Sequence, residues 1–313
     1  MDHEQQAANS SVTATAPGTP PVRAITLDGN GVALSGLLAE PACEPRALLV
    51  ALHGGGMRAG YFDGRADPAT SLLTLAASCG YAALALDRPG YGRSAAQLPG
   101  GAGLSEQADL LRAALDDYRA GRPCGAGVLL VGHSLGGGAA LHTASGWTGG
   151  GLLGVDVSGI GDRWAPAARQ LAARGGRLSH RMHWGPLALY PPGTFRSADT
   201  LITPVPEREA REILDWPQAY EGLARDVRVP VRFTFAEHER WWRSDPETVR
   251  AMLDRLGTPL ARSERLAGAG HNTSLGRTAR TYHLRVLAFL EECLTLPGAG
   301  ESRTPLHIRS TNP

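Results

Sequence analysis

From residue 48 onward the chain alternates short, mostly apolar runs with longer stretches of helical spacing. Residues 48–52, 82–86, 128–131, 152–157 and 231–236 have the length and near-continuous hydrophobicity of strands covered on both faces. Between them, ATSLLTLAASC closes at Gly80, SEQADLLRAALDDYRA runs from an N-cap at Ser105 to Gly121, and LGGGAALHTAS follows residue 134. Strand and helix taking turns predict a mostly parallel sheet with helices on both sides. Ahead of this, VRAITLDGNGVALSGLLAEP gives two alternating runs about Asp28-Gly29-Asn30-Gly31, a hairpin that adds antiparallel strands at one edge. After residue 157 the alternation stops for about 70 residues, a connection of the length that usually carries function. The pattern therefore predicts one domain: a core over residues 21–161 and 227–296, an insertion over 162–226, a loose leader over 1–20 and a tail over 297–313.

Composition narrows the class. Of 313 residues, 42% are hydrophobic and 19% charged, and the formal net charge is +1, with arginine supplying every basic side chain outside the histidines. No basic run marks a nucleic-acid or membrane footprint, and no segment approaches the roughly 20 apolar residues of a membrane span. Cys43, Cys79, Cys124 and Cys293 lack metal-ligand or CxxC spacing and read as buried free thiols, which suits a reducing cytoplasm. The first residues have neither the basic start nor the apolar centre of a secretory signal. No HxxxH or Cys/His cluster has ligand spacing, so neither metal nor other cofactor is expected.

The chemistry centres on VLLVGHSLGGGAA, residues 128–140. A serine hydroxyl is a poor nucleophile that must be exposed, paired with a base and supplied with an oxyanion site. Ser134 sits where an apolar strand turns sharply into a helix, and Gly132 and Gly136 flank it at the positions where the passing chains leave no room. Forty glycines make GxSxG weakly selective by itself; the strand before it and the small-residue helix after it make Ser134 the candidate nucleophile. The base should lie on a later loop. His271, in LAGAGHNTS, fits, whereas His142 and His283 fall inside helical stretches. For the third member, Glu239 stands three residues beyond the small Ala236 at the end of the strand over 231–236, with Glu237 and Asp162 as second choices. The oxyanion hole needs two backbone N–H groups: Leu135, directly after the serine, and one from His53-Gly54-Gly55-Gly56-Met57, with Gly55 ahead of Gly56 and Met57.

HGGGM, DRPGYGRS, GHSLG, AEHE and GAGHN, in this order, resemble the alpha/beta-hydrolase superfamily over roughly residues 22–295. The resemblance implies an eight-stranded, mostly parallel sheet, an acyl-enzyme on Ser134, a lid formed by the insertion and a largely structural role for DRPGYGRS. Two features depart from common patterns: Glu stands where Asp is commoner, and HGGG is not joined to a GDSAG elbow. A serine at the elbow sets aside the epoxide hydrolases and haloalkane dehalogenases of this fold, which carry Asp there.

The insertion contributes Trp164, Trp184, Tyr190, Phe195, Trp216 and Tyr220 to a chain that is only 6% aromatic. Such rings either wall a site or anchor the insertion to the core. Met57, His133, Trp164, Trp184, Tyr190 and Trp241 are the expected pocket residues. Arg163, Arg169, Arg174, Arg177 and Arg181 suit either a solvated helix face or an acidic group such as a carrier's phosphate. The expectation is a serine hydrolase acting on an ester or thioester of a bulky lipophilic acyl group, small or carrier-bound. The alternatives are an acyltransferase or eliminating lyase on the same triad, and a non-catalytic binding member, against which the intact Ser134 and His271 speak.

Overall fold

The computed structural model describes residues 20–174 and 182–296. Eight strands form one sheet in the order β1-β2-β4-β3-β5-β6-β7-β8. They are β1 (Val22–Gly29), β2 (Val32–Ala39), β3 (Leu48–Leu52), β4 (Ala82–Leu86), β5 (Val128–His133), β6 (Leu152–Ser158), β7 (Val231–His238) and β8 (Ala261–Gly270). β1 and β2 pair antiparallel through the expected hairpin and join β4 antiparallel; every later pairing is parallel. The helices whose bounds fall among the described residues are, in chain order, α1 (Leu72–Ser78), α2 (Leu104–Gly121), α3 (Leu135–Ser145), α4 (Ala168–Arg174), α5 (Thr194–Ala198), α6 (Glu207–Glu212), α7 (Trp216–Leu223), α8 (Pro246–Leu253) and α9 (Ala279–Thr295).

Alternation along β3 explains the two layers. Leu48, Val50 and Leu52 pack into a cluster with residues of α2, α3, α7 and α8, while Leu49 and Ala51 pack with α1 and α9 on the opposite face. Both faces are thereby covered, and the ends of the parallel strands are left to carry side chains outward at one edge.

Several local expectations shift. α2 starts at Leu104 with Gly103 as its N-cap, not at Ser105, because the Glu212 carboxylate of the insertion accepts the Leu104 N–H at 2.7 Å and supplies the cap from afar. Pro68–Thr70 forms a separate 3₁₀ turn, and α1 begins after it with Ser71 accepting the Thr74 N–H. Of the four cysteines only Cys293 is buried; Cys124 is half-buried and Cys43 and Cys79 are exposed, all as free thiols. Arg177, Arg181, the tail and all of the leader but Pro20 lie outside the described residues. Arg169 is held at the surface by Leu214 O and Asp215.

Trp216 and Tyr220 are anchors rather than walls. Both are buried in the core, with Trp216 Nε1 donating to Gly161 O (2.8 Å) and Tyr220 Oη to Met252 O (2.9 Å). They clamp the C-terminal part of the 162–226 segment to the core. No helix among the described residues is long and apolar enough to cross a membrane.

Candidate active site

The turn from β5 into α3 forces Ser134 to φ 52° and ψ −123°, a left-handed conformation that an L residue adopts only at a cost of about 1–3 kcal/mol. The Ser134 N–H donates to Ser158 O of β6 at 2.7 Å, which fixes the turn to the neighbouring strand end. Room for it exists only because its flanks lack side chains. A Cβ on Gly136 would stand 2.1 Å from Leu52 O, and one on Gly132 would stand 2.5 Å from Gly136 O.

Register brings the other two groups together. β7 and β8 pair with His238 opposite Gly270, so the residues that follow, Glu239 and His271, emerge side by side. His271 Nδ1 lies 2.8 Å from Glu239 Oε2, while Glu239 Oε1 accepts the N–H groups of Arg240 (3.0 Å) and Trp241 (2.9 Å). Both side chains are almost wholly shielded from solvent. Burial alone would raise the Glu239 carboxyl, but the His271 ring and the two backbone donors outweigh it and hold the group below its ordinary range. A carboxylate so placed keeps the His271 proton on Nδ1 and leaves Nε2 as the acceptor.

The second-choice carboxylates are engaged elsewhere. Glu237 is exposed and accepts the Gly268 N–H at 2.7 Å, and Asp162 pairs with Arg255. The bulge between Ala236 and His238 is what separates Glu237 from Glu239: one side chain turns back along β8 and the other reaches the histidine.

The loop after β3 lies directly against the serine. A Cβ on Gly54 would be 3.2 Å from Ser134 Cβ, and one on Gly55 2.5 Å from Leu135 Cδ1. Within it the Gly56 N–H is taken by Tyr91 Oη (3.2 Å) and the Met57 N–H by Gly54 O (3.3 Å). Among the described residues, the Gly55 and Leu135 N–H groups have no acceptor. Backbone donors left unpaired beside a nucleophile are what a developing oxyanion needs.

Two cavities meet at Ser134, Gly55, His183 and Val205. The first, about 420 Å³, is lined by Met57, His133, Trp184, His271 and Asn272, and the second, about 300 Å³, by Leu135, Trp164, Ile213, Trp241 and Trp242. Of the expected pocket residues, Tyr190 alone lines neither. It is buried behind Trp184, its ring 5.2 Å away, and against Gly270. His133 is fully buried, stacked on Tyr61, with Nδ1 3.0 Å from Ser158 Oγ; burial, with His271 and His183 nearby, drives its pKa well below the ordinary histidine range.

Sequence pattern gave no notice of His183, and Asn272 stood in GAGHN without a role assigned to it. His183 Nδ1 accepts the Trp241 Nε1–H at 3.2 Å, and its ring centre lies 5.5 Å from that of His271. It comes from the insertion, where no period or motif marks it.

The chain belongs to the alpha/beta hydrolase family: the family model matches residues 49–284, more than half of the chain. A comparison with proteins of curated function found no match. Among solved structures, the chain is similar to an AqdC variant described in the recognition and ring-cleavage of the Pseudomonas quinolone signal, at 18% identity and TM-score 0.64, covering 86% of this chain and 100% of that one. It is also similar to a thermostable carboxyl esterase from Bacillus coagulans at 15% identity and TM-score 0.63, covering 87% and 99%. A monoacylglycerol lipase from Paleococcus ferrophilus matches at 18% identity and TM-score 0.59, covering 82% and 99%. At such identities the likeness is one of fold.

Proposed function

We propose that this protein is a serine hydrolase that cleaves an ester or thioester through an acyl-enzyme on Ser134. One observation carries the reading: a strained serine at an elbow shares a cavity with a histidine whose Nδ1 is held at 2.8 Å by a buried carboxylate. His271 takes the Ser134 proton as the hydroxyl attacks the acyl carbon, and Glu239 stabilises the imidazolium so formed. The Gly55 and Leu135 N–H groups receive the oxyanion. His271 then protonates the leaving group, and water, deprotonated by the same imidazole, releases the acid.

The proton delivered by His271 assigns the two cavities. Only the larger one is lined by His271, so the leaving alcohol or thiol belongs there. The acyl group is left with the smaller, tryptophan-walled cavity, whose apolar lining favours a lipophilic chain. The described parts of the insertion act as a lid, since Trp164, Trp184 and Ile213 from it line the cavities that contain the serine. The esterase and lipase of similar fold support this class, whereas the ring-cleaving enzyme on the same fold makes the covalent step the one to test.

Intact-mass measurement after treatment with a fluorophosphonate reads that step. A single adduct on the wild type, absent from Ser134→Ala and strongly slowed in His271→Ala, is expected. Turnover of an acyl ester by a wild-type protein that takes no adduct would overturn the acyl-enzyme, and leave His271 acting directly on substrate as a base.

A further inference from the structure

Glu209 lies on α6 of the insertion with a fully buried side chain, and its carboxylate uses both oxygens. Oε1 accepts from Arg88 Nη2 (2.9 Å) and Tyr91 Oη (2.6 Å); Oε2 accepts from Arg88 Nη1 (2.6 Å) and Gln107 Nε2 (2.8 Å). Replacing a buried ion pair by apolar side chains is often neutral or stabilising, so stability alone gives a weak reason for building one here. What the network contacts suggests another.

Two branches of the network, through Tyr91 and Arg88, end on the loop after β3, while Gln107 turns to Ala102 O at 2.9 Å. The Tyr91 hydroxyl has one proton, given to Glu209, which leaves its lone pairs for the Gly56 N–H at 3.2 Å. The Arg88 guanidinium donates through Nε to His53 O (2.6 Å), and the Arg88 backbone N–H to His53 Nε2 (3.1 Å). With Nε2 accepting, the His53 proton is on Nδ1, which donates to Gly54 O at 2.8 Å. Gly54 O and the Gly55 N–H belong to one trans peptide plane and point in opposite directions. Holding Gly54 O therefore aims the Gly55 N–H.

We propose that Glu209 is a positioning residue that, through Arg88 and Tyr91, fixes the peptide planes on both sides of Gly55 and so aims the Gly55 N–H at the oxyanion. This rests on the serine-hydrolase reading above. It also makes oxyanion stabilisation depend on where the insertion sits, because Glu209 travels with α6, and Thr203 of the same segment donates to Gly56 O at 2.9 Å. DRPGYGRS, which looks structural in the sequence, becomes the relay between insertion and oxyanion loop.

The test uses the full-length protein with Glu209→Gln and Tyr91→Phe, and Glu207→Gln as control. Glu207 is exposed on the same helix and, among the described residues, pairs only with Arg211. Glu209→Gln leaves Arg88 buried without a counter-charge and can fail to fold; Tyr91→Phe keeps the ion pair and removes only the hydroxyl. Four quantities are read: kcat and KM on an acyl ester, the rate of fluorophosphonate addition to Ser134, and amide hydrogen exchange in the peptide covering residues 53–57. For Tyr91→Phe the expected result is a fall in kcat and in phosphonylation rate of about 10–100-fold, with KM within about threefold and an unchanged pH profile. Exchange over residues 53–57 should rise while the rest of the protein stays as in the wild type. Wild-type kcat in Tyr91→Phe, or a loss explained wholly by a lower folded fraction, would overturn the proposal. Exchange is independent of the chemistry: if it is unchanged, the pinning is wrong even where Ser134 is labelled. If wild-type Ser134 takes no label, the hydrolase reading fails first and the catalytic role of Glu209 falls with it.

Discussion

Glu239→Gln isolates the charge and the acceptor that hold His271, with almost no change of shape. In the wild type one carboxylate oxygen meets His271 Nδ1 at 2.8 Å and the other takes two backbone N–H groups at 2.9 and 3.0 Å. A glutamine has one acceptor oxygen, and the two backbone donors claim it, so its NH₂ faces His271. The imidazole must then accept at Nδ1 and carry its proton on Nε2, where it can no longer take one from Ser134. The lost attraction adds to this. For charge centres about 4 Å apart at an effective dielectric constant of about 20, it amounts to about 4 kcal/mol, or about a thousandfold in rate. Together the two effects predict a fall in kcat of about 10³–10⁴-fold with little change in KM. Steady-state hydrolysis of a chromogenic acyl ester measures this, with circular dichroism to show that the fold is intact. Glu237→Gln and Asp162→Asn should stay within about tenfold of wild type. Retention of more than about a tenth of wild-type kcat by Glu239→Gln would refute the assignment.

Other outcomes follow from particular contacts. Gly136→Ala places a Cβ 2.1 Å from Leu52 O, so it should cost more than about 3 kcal/mol and abolish activity; thermal denaturation and phosphonylation check both. Ile213→Trp fills the smaller cavity and should cut kcat/KM for long acyl esters at least about tenfold while sparing acetate, whereas an equal loss for both would reverse the acyl and leaving-group assignment. His283 is fully buried between Thr70 O (2.7 Å) and Ser274 Oγ (2.9 Å), and burial pushes its pKa down to about 4. The unfolded chain binds this proton below about pH 6.5 and the folded one only near pH 4, so stability is lost as pH falls through that window, by about 3 kcal/mol in all. Urea denaturation from pH 7 to 4 should show a shallower loss in His283→Gln, and parallel curves would refute the linkage.

Periodicity was sufficient for β3 to β7 because a strand covered on both faces must be apolar throughout, whatever its neighbours are, whereas the largely exposed β8 carries no such run. The elbow was equally local: Gly132, Ser134 and Gly136 report a close passage of chains that no larger side chain allows. Glu239 and His271 were legible as strand-end residues. What joins them is the register of β7 on β8, which pairing across 32 residues sets and a linear pattern does not contain.

The cysteines show the limit of composition, since three of four lie at or near the surface where thiols were expected inside. The cap of α2 shows the limit of local rules: a carboxylate at residue 212 replaced the serine that the helix start offered. Trp184 and Tyr190 were equally eligible as pocket residues in the sequence, and packing put Trp184 on the cavity wall and Tyr190 behind it. The insertion is where this matters most. Nothing in the pattern of PEREARE singles out one of its charges, yet Glu209 is fully buried against Arg88 while Glu207 and Arg208 are exposed. Sequence by itself determined which residues could be strands, turn and nucleophile, because those demands act over a few neighbouring residues. Which carboxylate pairs with the histidine, which ring lines the cavity and which charge is buried behind the loop after β3 were decided by tertiary packing, because each depends on a partner supplied by a distant part of the chain.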